Sequence, residues 1–161
     1  MAKDFNKNIE KCFKQGGLRN IESDPESIRR HLDKASSNVK AMDIMFDNQK
    51  YDWTIVCGYY AMYHAVLASL IKIGILATKH YCAVSAFNEF YIFRKNVDEK
   101  YIEYLNRAKE LEEKYSETLE HAQADRVSDQ YGVQVITNDD AEWIIEAAKD
   151  FVLKIEEVLA D

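Results

Sequence analysis

The chain has 161 residues, 47% hydrophobic and 30% charged, with one Pro and five Gly. That excludes an all-β sandwich or barrel, which needs a turn residue every few positions, and leaves a mostly helical domain around one core. The formal charge of −7 excludes a protein that coats nucleic acid, because an acidic surface repels phosphates, yet a small local cleft could still hold one.

Taken in chain order, Lys3 to Gln15 predicts a short amphipathic helix through Phe5, Ile9, Cys12 and Phe13, ended by Gly16 and Gly17. Asp24 is a good N-cap and Pro25 suits a first helical position, so a second helix runs from there to about Asn48. Its stripe is Ile28, Leu32, Ala35, Val39, Met42 and Met45 or Phe46. A third helix spans about Asp52 to Ile73, with Gly74 as its stop. No formally charged side chain lies between Trp53 and Ile71, a stretch long enough to raise the membrane question. Its tyrosines, Thr54, Ser69 and His64 predict instead a helix buried on nearly all sides of a soluble bundle.

Thr78 is expected to cap a fourth helix that runs through His80, Cys82, Val84, Phe87, Phe90, Tyr91 and Phe93. A long charge-laced helix follows from about Asp98 to Tyr131, with Tyr101, Leu105, Ala108, Leu111 and Tyr115 inward and Gly132 as its stop. Gly132 to Ile136 reads as a connector, not a strand. Thr137 and the acidic turn after it open a last helix carrying Trp143, Ile144, Ala147, Phe151, Val152, Ile155 and Leu159. The expected fold is all-α: an up-and-down bundle with four long core helices and one or two short extra ones. Residues 1–17 form the N-terminal extra helix and 24–161 the bundle domain. The N-terminus lacks the apolar run of a signal peptide. Cys12, Cys57 and Cys82 are odd in number without a C-x-x-C pair, which predicts reduced thiols in the cytoplasm and no disulfide or zinc framework.

Enzyme signatures are few. No phosphate-cradling G-x-G-x-x-G or G-K-[ST] loop and no G-x-S-x-G elbow occurs. A di-iron bundle needs paired Glu-x-x-His motifs, and Glu117 with His121 stands one position off that spacing and alone. No metal is therefore expected. His64, one turn after Tyr60 in the uncharged helix, reads as a hydrogen-bonded core histidine or, with Tyr60, as a ligand-binding pair.

The ordered set Tyr51-Asp52-Trp53, Gly58-Tyr59-Tyr60-Ala61-Met62-Tyr63-His64-Ala65, Gly74, Thr78-Lys79-His80, Arg126 to Gly132 and Ala147 to Val152 resembles the HEPN (higher eukaryotes and prokaryotes nucleotide-binding) domain, most closely its small stand-alone prokaryotic branch. The resemblance spans roughly residues 25 to 160. It implies a homodimeric helical bundle that partners a minimal nucleotidyltransferase in a toxin–antitoxin-type pair. Many such proteins are metal-independent endoribonucleases, needing no cofactor, in which an Arg is followed after a few residues by a His. Here the matching Arg is Arg126, and Tyr131 stands where the His would be.

RNA cleavage needs a proton removed from the 2′-hydroxyl, one delivered to the leaving oxygen and the phosphorane charge stabilised. Arg126 fits the last role, oriented by Asp129, and Tyr131 can donate a proton but, with a pKa near ~10, is a poor base. Five positions on a continuous helix rotate Tyr131 by about 140° from Arg126, so they converge only at a helix end or across two subunits. The plain alternative pairs Arg126 with Asp129 and leaves Tyr131 packing. Arg94 with Tyr101 is a second, weaker couple off the motif position. The substrate expected of the sharper reading is RNA or a nucleotide at a local cleft. The rival is a non-catalytic nucleotide-binding or protein-docking module lacking the His.

Overall fold

A computed structural model describes residues 2–124 and 135–161. Among them are six α-helices and one small sheet, in the order α1 (Ala2–Lys14), β1 (Leu18–Asn20), α2 (Pro25–Asp47), α3 (Tyr51–Lys72), β2 (Ile75–Ala77), α4 (His80–Phe87), α5 (Lys100–Ala124) and α6 (Asn138–Ala160). The four long helices form the bundle. Phe46 meets Tyr51 across the turn from α2 to α3, Trp53 meets Tyr115 while Lys109 lies over Tyr59, and Tyr101 meets Phe151 while Arg107 lies over Trp143. Each successive long helix therefore runs opposite to the one before it.

The local reasons are those of the sequence. The Asp24 side chain accepts from the Glu26 N–H with Pro25 at the first position, and Thr137 and Asp140 form a reciprocal capping box at the start of α6. Gly74 takes φ +81°, a conformation open to glycine at little cost, and so ends α3 cleanly.

The α3 helix is the axis of the fold. It packs against α2, α5, α6, α4 and β2, and its buried residues include Ile55, Tyr59, Met62, Val66 and Leu70. By length and hydropathy it could cross a membrane, but 72% of its most apolar window is covered by the rest of the protein, which accounts for its apolarity. At Gly58 three helices meet: a Cβ there would strike the side chains of Ile144 and Met42. Two buried hydroxyls on α3 close on its own backbone, Thr54 on the Lys50 carbonyl at 2.9 Å and Ser69 on the Val66 carbonyl at 2.6 Å.

Four features depart from the sequence expectations. First, Leu18–Asn20 and Ile75–Ala77 pair as antiparallel strands, with Leu18 opposite Ala77 and Asn20 opposite Ile75; three residues each are too few to show an alternating pattern. Second, Thr78 caps nothing: its Oγ1 donates to the Gly16 carbonyl at 2.7 Å, and Lys79 occupies the N-cap of α4 with no side-chain hydrogen bond. The sheet holds Thr78 away from the helix start. Third, the predicted fourth helix reaches Phe93 only through a π-helical segment, Asn88–Phe93, sealed by the Arg94 N–H on the Glu89 carbonyl. Fourth, Cys12 and Cys82 form a disulfide, their Cα atoms 5.8 Å apart and 70 positions apart in sequence. The β1–β2 pairing draws α1 onto α4, so the two thiols meet through a contact their spacing did not announce. Cys57 alone remains free.

Candidate functional site

The residues in which sequence reasoning placed the RNA chemistry, Arg126, Asp129 and Tyr131, lie outside the described residues. The other proposed couple comes apart. Arg94 Nε pairs with Glu89 at 3.0 Å and its guanidinium covers the Phe90 ring, while the Tyr101 hydroxyl donates to Asp150 at 3.2 Å. They belong to different networks.

What the fold does assemble is a cluster of rings around the middle of α3. Helical spacing puts Tyr59 and Tyr63 on one face and Tyr60 and His64 on the next. The loop through β2 delivers His80, the first residue of α4, onto this face: its ring stacks on Tyr63 with centroids 4.0 Å apart and planes 11° apart. The Tyr59 hydroxyl and His80 Nδ1 share a hydrogen bond of 2.8 Å, and Tyr60 meets His80 edge-on at 6.3 Å. Burial, reinforced by the neighbouring Tyr63 and Glu112, holds the Tyr59 phenol far above its ordinary range, so it keeps its proton and serves as the donor, leaving the His80 proton on Nε2. Burial first, then the Lys109 ammonium, pushes His80 down, while Glu112 opposes them. The imidazole is therefore neutral at neutral pH, held by a phenol behind it and a tyrosine face beside it.

Lys109, on α5, lies 5.2 Å from the Tyr59 ring centre, but its Nζ is 3.2 Å from Glu112 and 4.0 Å from Glu113. The Lys109 ammonium is thus paired with carboxylates of its own helix.

The second cluster joins α2 to α3. His31 Nδ1 and His64 Nδ1 are 3.1 Å apart, with ring centres 5.3 Å apart and planes 28° apart. Those separations put both nitrogens near the line between the rings, so each lone pair faces the other nitrogen. That is the geometry of one N–H···N hydrogen bond, not of two ligands converging on a metal ion. Burial, with His31 and Lys34 adding positive charge, lowers His64 to about 4; burial lowers His31 as well. His64 is thus hydrogen-bonded but only half-buried, and its partner histidine was invisible in a helix read for its apolar stripe. Tyr60 and His64 share a helix face without sharing a partner: one turns to His80, the other to His31. Among the described residues no three His, Cys, Asp or Glu side chains converge as metal ligands would.

A four-helix up-and-down bundle whose central helix carries a Tyr-Tyr-x-x-Tyr-His face is the architecture implied by the sequence resemblance, and comparison with known proteins agrees. The HEPN domain model matches residues 28–158. The chain belongs to the HEPN domain family. It is similar to a Methanocaldococcus jannaschii protein named "Putative toxin MJ0605", with 26% identity over 136 residues, covering 84% of this chain and 91% of that one. A second protein of the same organism, "Putative toxin MJ0142", is 26% identical over 81 residues, covering 50% of this chain and 55% of the other.

Proposed function

We propose that this chain is the toxin-like HEPN half of a toxin–antitoxin-type pair, acting in the cytoplasm as a homodimer beside a nucleotidyltransferase-like protein. The match along nearly the whole bundle to the relative named "Putative toxin MJ0605" carries this reading. In its sharper form the protein cleaves RNA without a metal: Arg126 binds the scissile phosphate, Asp129 orients Arg126 and Tyr131 passes a proton to the leaving oxygen.

The ring cluster favours the second reading, a binding or docking module without catalysis. His80 is held neutral, and it and Tyr60 are the partly exposed members of the cluster while Tyr59 and Tyr63 are buried, so the cluster presents uncharged hydrogen-bonding groups at its edge. Such an edge suits a nucleobase or a partner protein better than a phosphodiester backbone.

Expression alone and with the adjacent gene, followed by incubation of purified protein with total RNA, separates the two. The ribonuclease reading expects growth arrest, relief by the neighbour and loss of both arrest and cleavage in Arg126→Ala. Intact RNA together with an inert Arg126→Ala change would sink it. Co-purification with the neighbour in the absence of cleavage supports the docking reading.

A further inference from the structure

The N-terminal helix lies outside the four long helices and packs onto the edge of the core. It rests on α4 and β1, with Ile9 and Cys12 buried and Phe13 packed partly against the core. A free helix of this length is marginal in water, so α1 depends on what holds it to the rest of the chain. The chain leaving α1 is held firmly. Gly17 N–H bonds the Cys12 carbonyl at 2.8 Å, Thr78 N–H bonds the Gly17 carbonyl at 2.9 Å, and Thr78 Oγ1 bonds the Gly16 carbonyl, after which β1 pairs with β2. Between the helix and this anchor lies the Cys12–Cys82 bridge. Its sulfur sits where a side chain at position 17 would be: a Cβ on Gly17 would lie 2.5 Å from Cys82 Sγ. The backbone therefore makes room for the bridge itself.

We propose that this disulfide is a redox latch on α1. Closed, it clamps the helix across α4; opened, it lets residues 2–14 swing about Gly16 while the sheet and the bundle stay in place. Cys82 stands two residues from His80 and so about 200° round α4 from it, so release of α1 uncovers the side of α4 turned away from the ring cluster. The chemistry is thiol–disulfide exchange. A thiolate of a cellular thiol or dithiol attacks one Sγ, the S–S bond breaks to give a mixed disulfide and a cysteine thiolate, and a second reductant thiolate displaces the other cysteine. The reductant loses two electrons and becomes a disulfide; Cys12 and Cys82 gain two electrons and two protons. Both cysteines are nearly fully covered, at 3% and 4% exposure, so attack waits on a transient lift of α1. Cys57, on α3, does not compete, because burial pushes its thiol up and away from the reactive thiolate form.

The test is hydrogen exchange read by mass spectrometry on the full-length protein, with and without dithiothreitol, alongside a thiol count. The oxidised protein should show one free thiol, Cys57, and the reduced protein three. On reduction, amides of residues 5–14 should exchange at least about tenfold faster, while those of α2, α3 and α6 keep their protection. Cys12→Ser should reproduce this without reductant, and Cys57→Ser should not. If Cys12→Ser fails to fold, the reduced native chain carries the same measurement. Three thiols before reduction, unchanged exchange in residues 5–14, or loss of protection across the whole molecule would each overturn the latch.

Discussion

The axis of the bundle and its annex are built on opposite principles. The α3 helix is fixed by volume: it is wrapped by four helices and β2, and at Gly58 the side chains of Ile144 and Met42 take the space of a missing Cβ. Among the described side chains, the α1 helix is held by one covalent bond and the apolar contacts of Ile9, Cys12 and Phe13. Packing that surrounds an element spreads its stability over many small terms and makes it fold with the whole domain. A single bond concentrates stability in one place, where chemistry can remove it. The difference predicts that damage at the axis is global and damage at the annex is local.

The hardest blow to the packed core around the axis is Phe151→Ala, on α6. Phe151 is fully buried between Phe87 and Tyr101, and the change should cost about 3–5 kcal/mol in urea unfolding, in one cooperative transition. Gly58→Ala comes next. Relief of glycine's backbone entropy offsets part of the clash with Ile144 and Met42, so a net loss of about 1–3 kcal/mol is expected. A gain in stability would show that the three helices can part there.

The histidine couple sharpens the comparison, because it ties α2 to the axis by one proton. Both imidazoles are lowered in the folded protein, His64 to about 4, so the unfolded chain binds protons that the native state refuses. The contribution is complete above the unfolded value of about 6.5 and is lost as pH falls from there toward 4. Discounted for half-exposure to water, it amounts to about 1–2 kcal/mol. Urea midpoints at pH 7.5 and 5.0 should differ by less in a His31→Asn, His64→Asn double variant than in the native chain. An equal difference in both would remove the pair from the account. At the mild end, Thr137→Ala should cost about 1 kcal/mol by opening the capping box of α6. Arg30→Ala should cost well under 1 kcal/mol, since its bond to Glu26 is exposed on both sides.

The long helices were legible because each carries its own local signature: Asp24-Pro25 for α2, an uncharged run for α3, Thr137 with Asp140 for α6. The annex was not, because its signals are long-range. Leu18–Asn20 and Ile75–Ala77 are strands only in each other's presence, and Thr78 abandons a capping role for a carbonyl 62 positions away. The disulfide follows from that same pairing, so an expectation of reduced cysteines built on spacing failed with it. At the candidate site, Tyr60 and His64 could be picked from the sequence, but their partners His80 and His31 come from other helices, and only packing names them.

The π-helical segment after α4 has a consequence for the side chains at its end. A turn closed by the Arg94 N–H on the Glu89 carbonyl holds one residue more than an α-helical turn, and Arg94, where the helix ends, is displaced round the axis by about 100° from where an α-helical ending would put it. The wider turn brings Arg94 back over the buried Glu89 and the Phe90 ring. Deleting one residue between Asn88 and Phe93 would return the turn to α-helical closure and part Arg94 from the Glu89 carboxylate, leaving a buried charge without its partner.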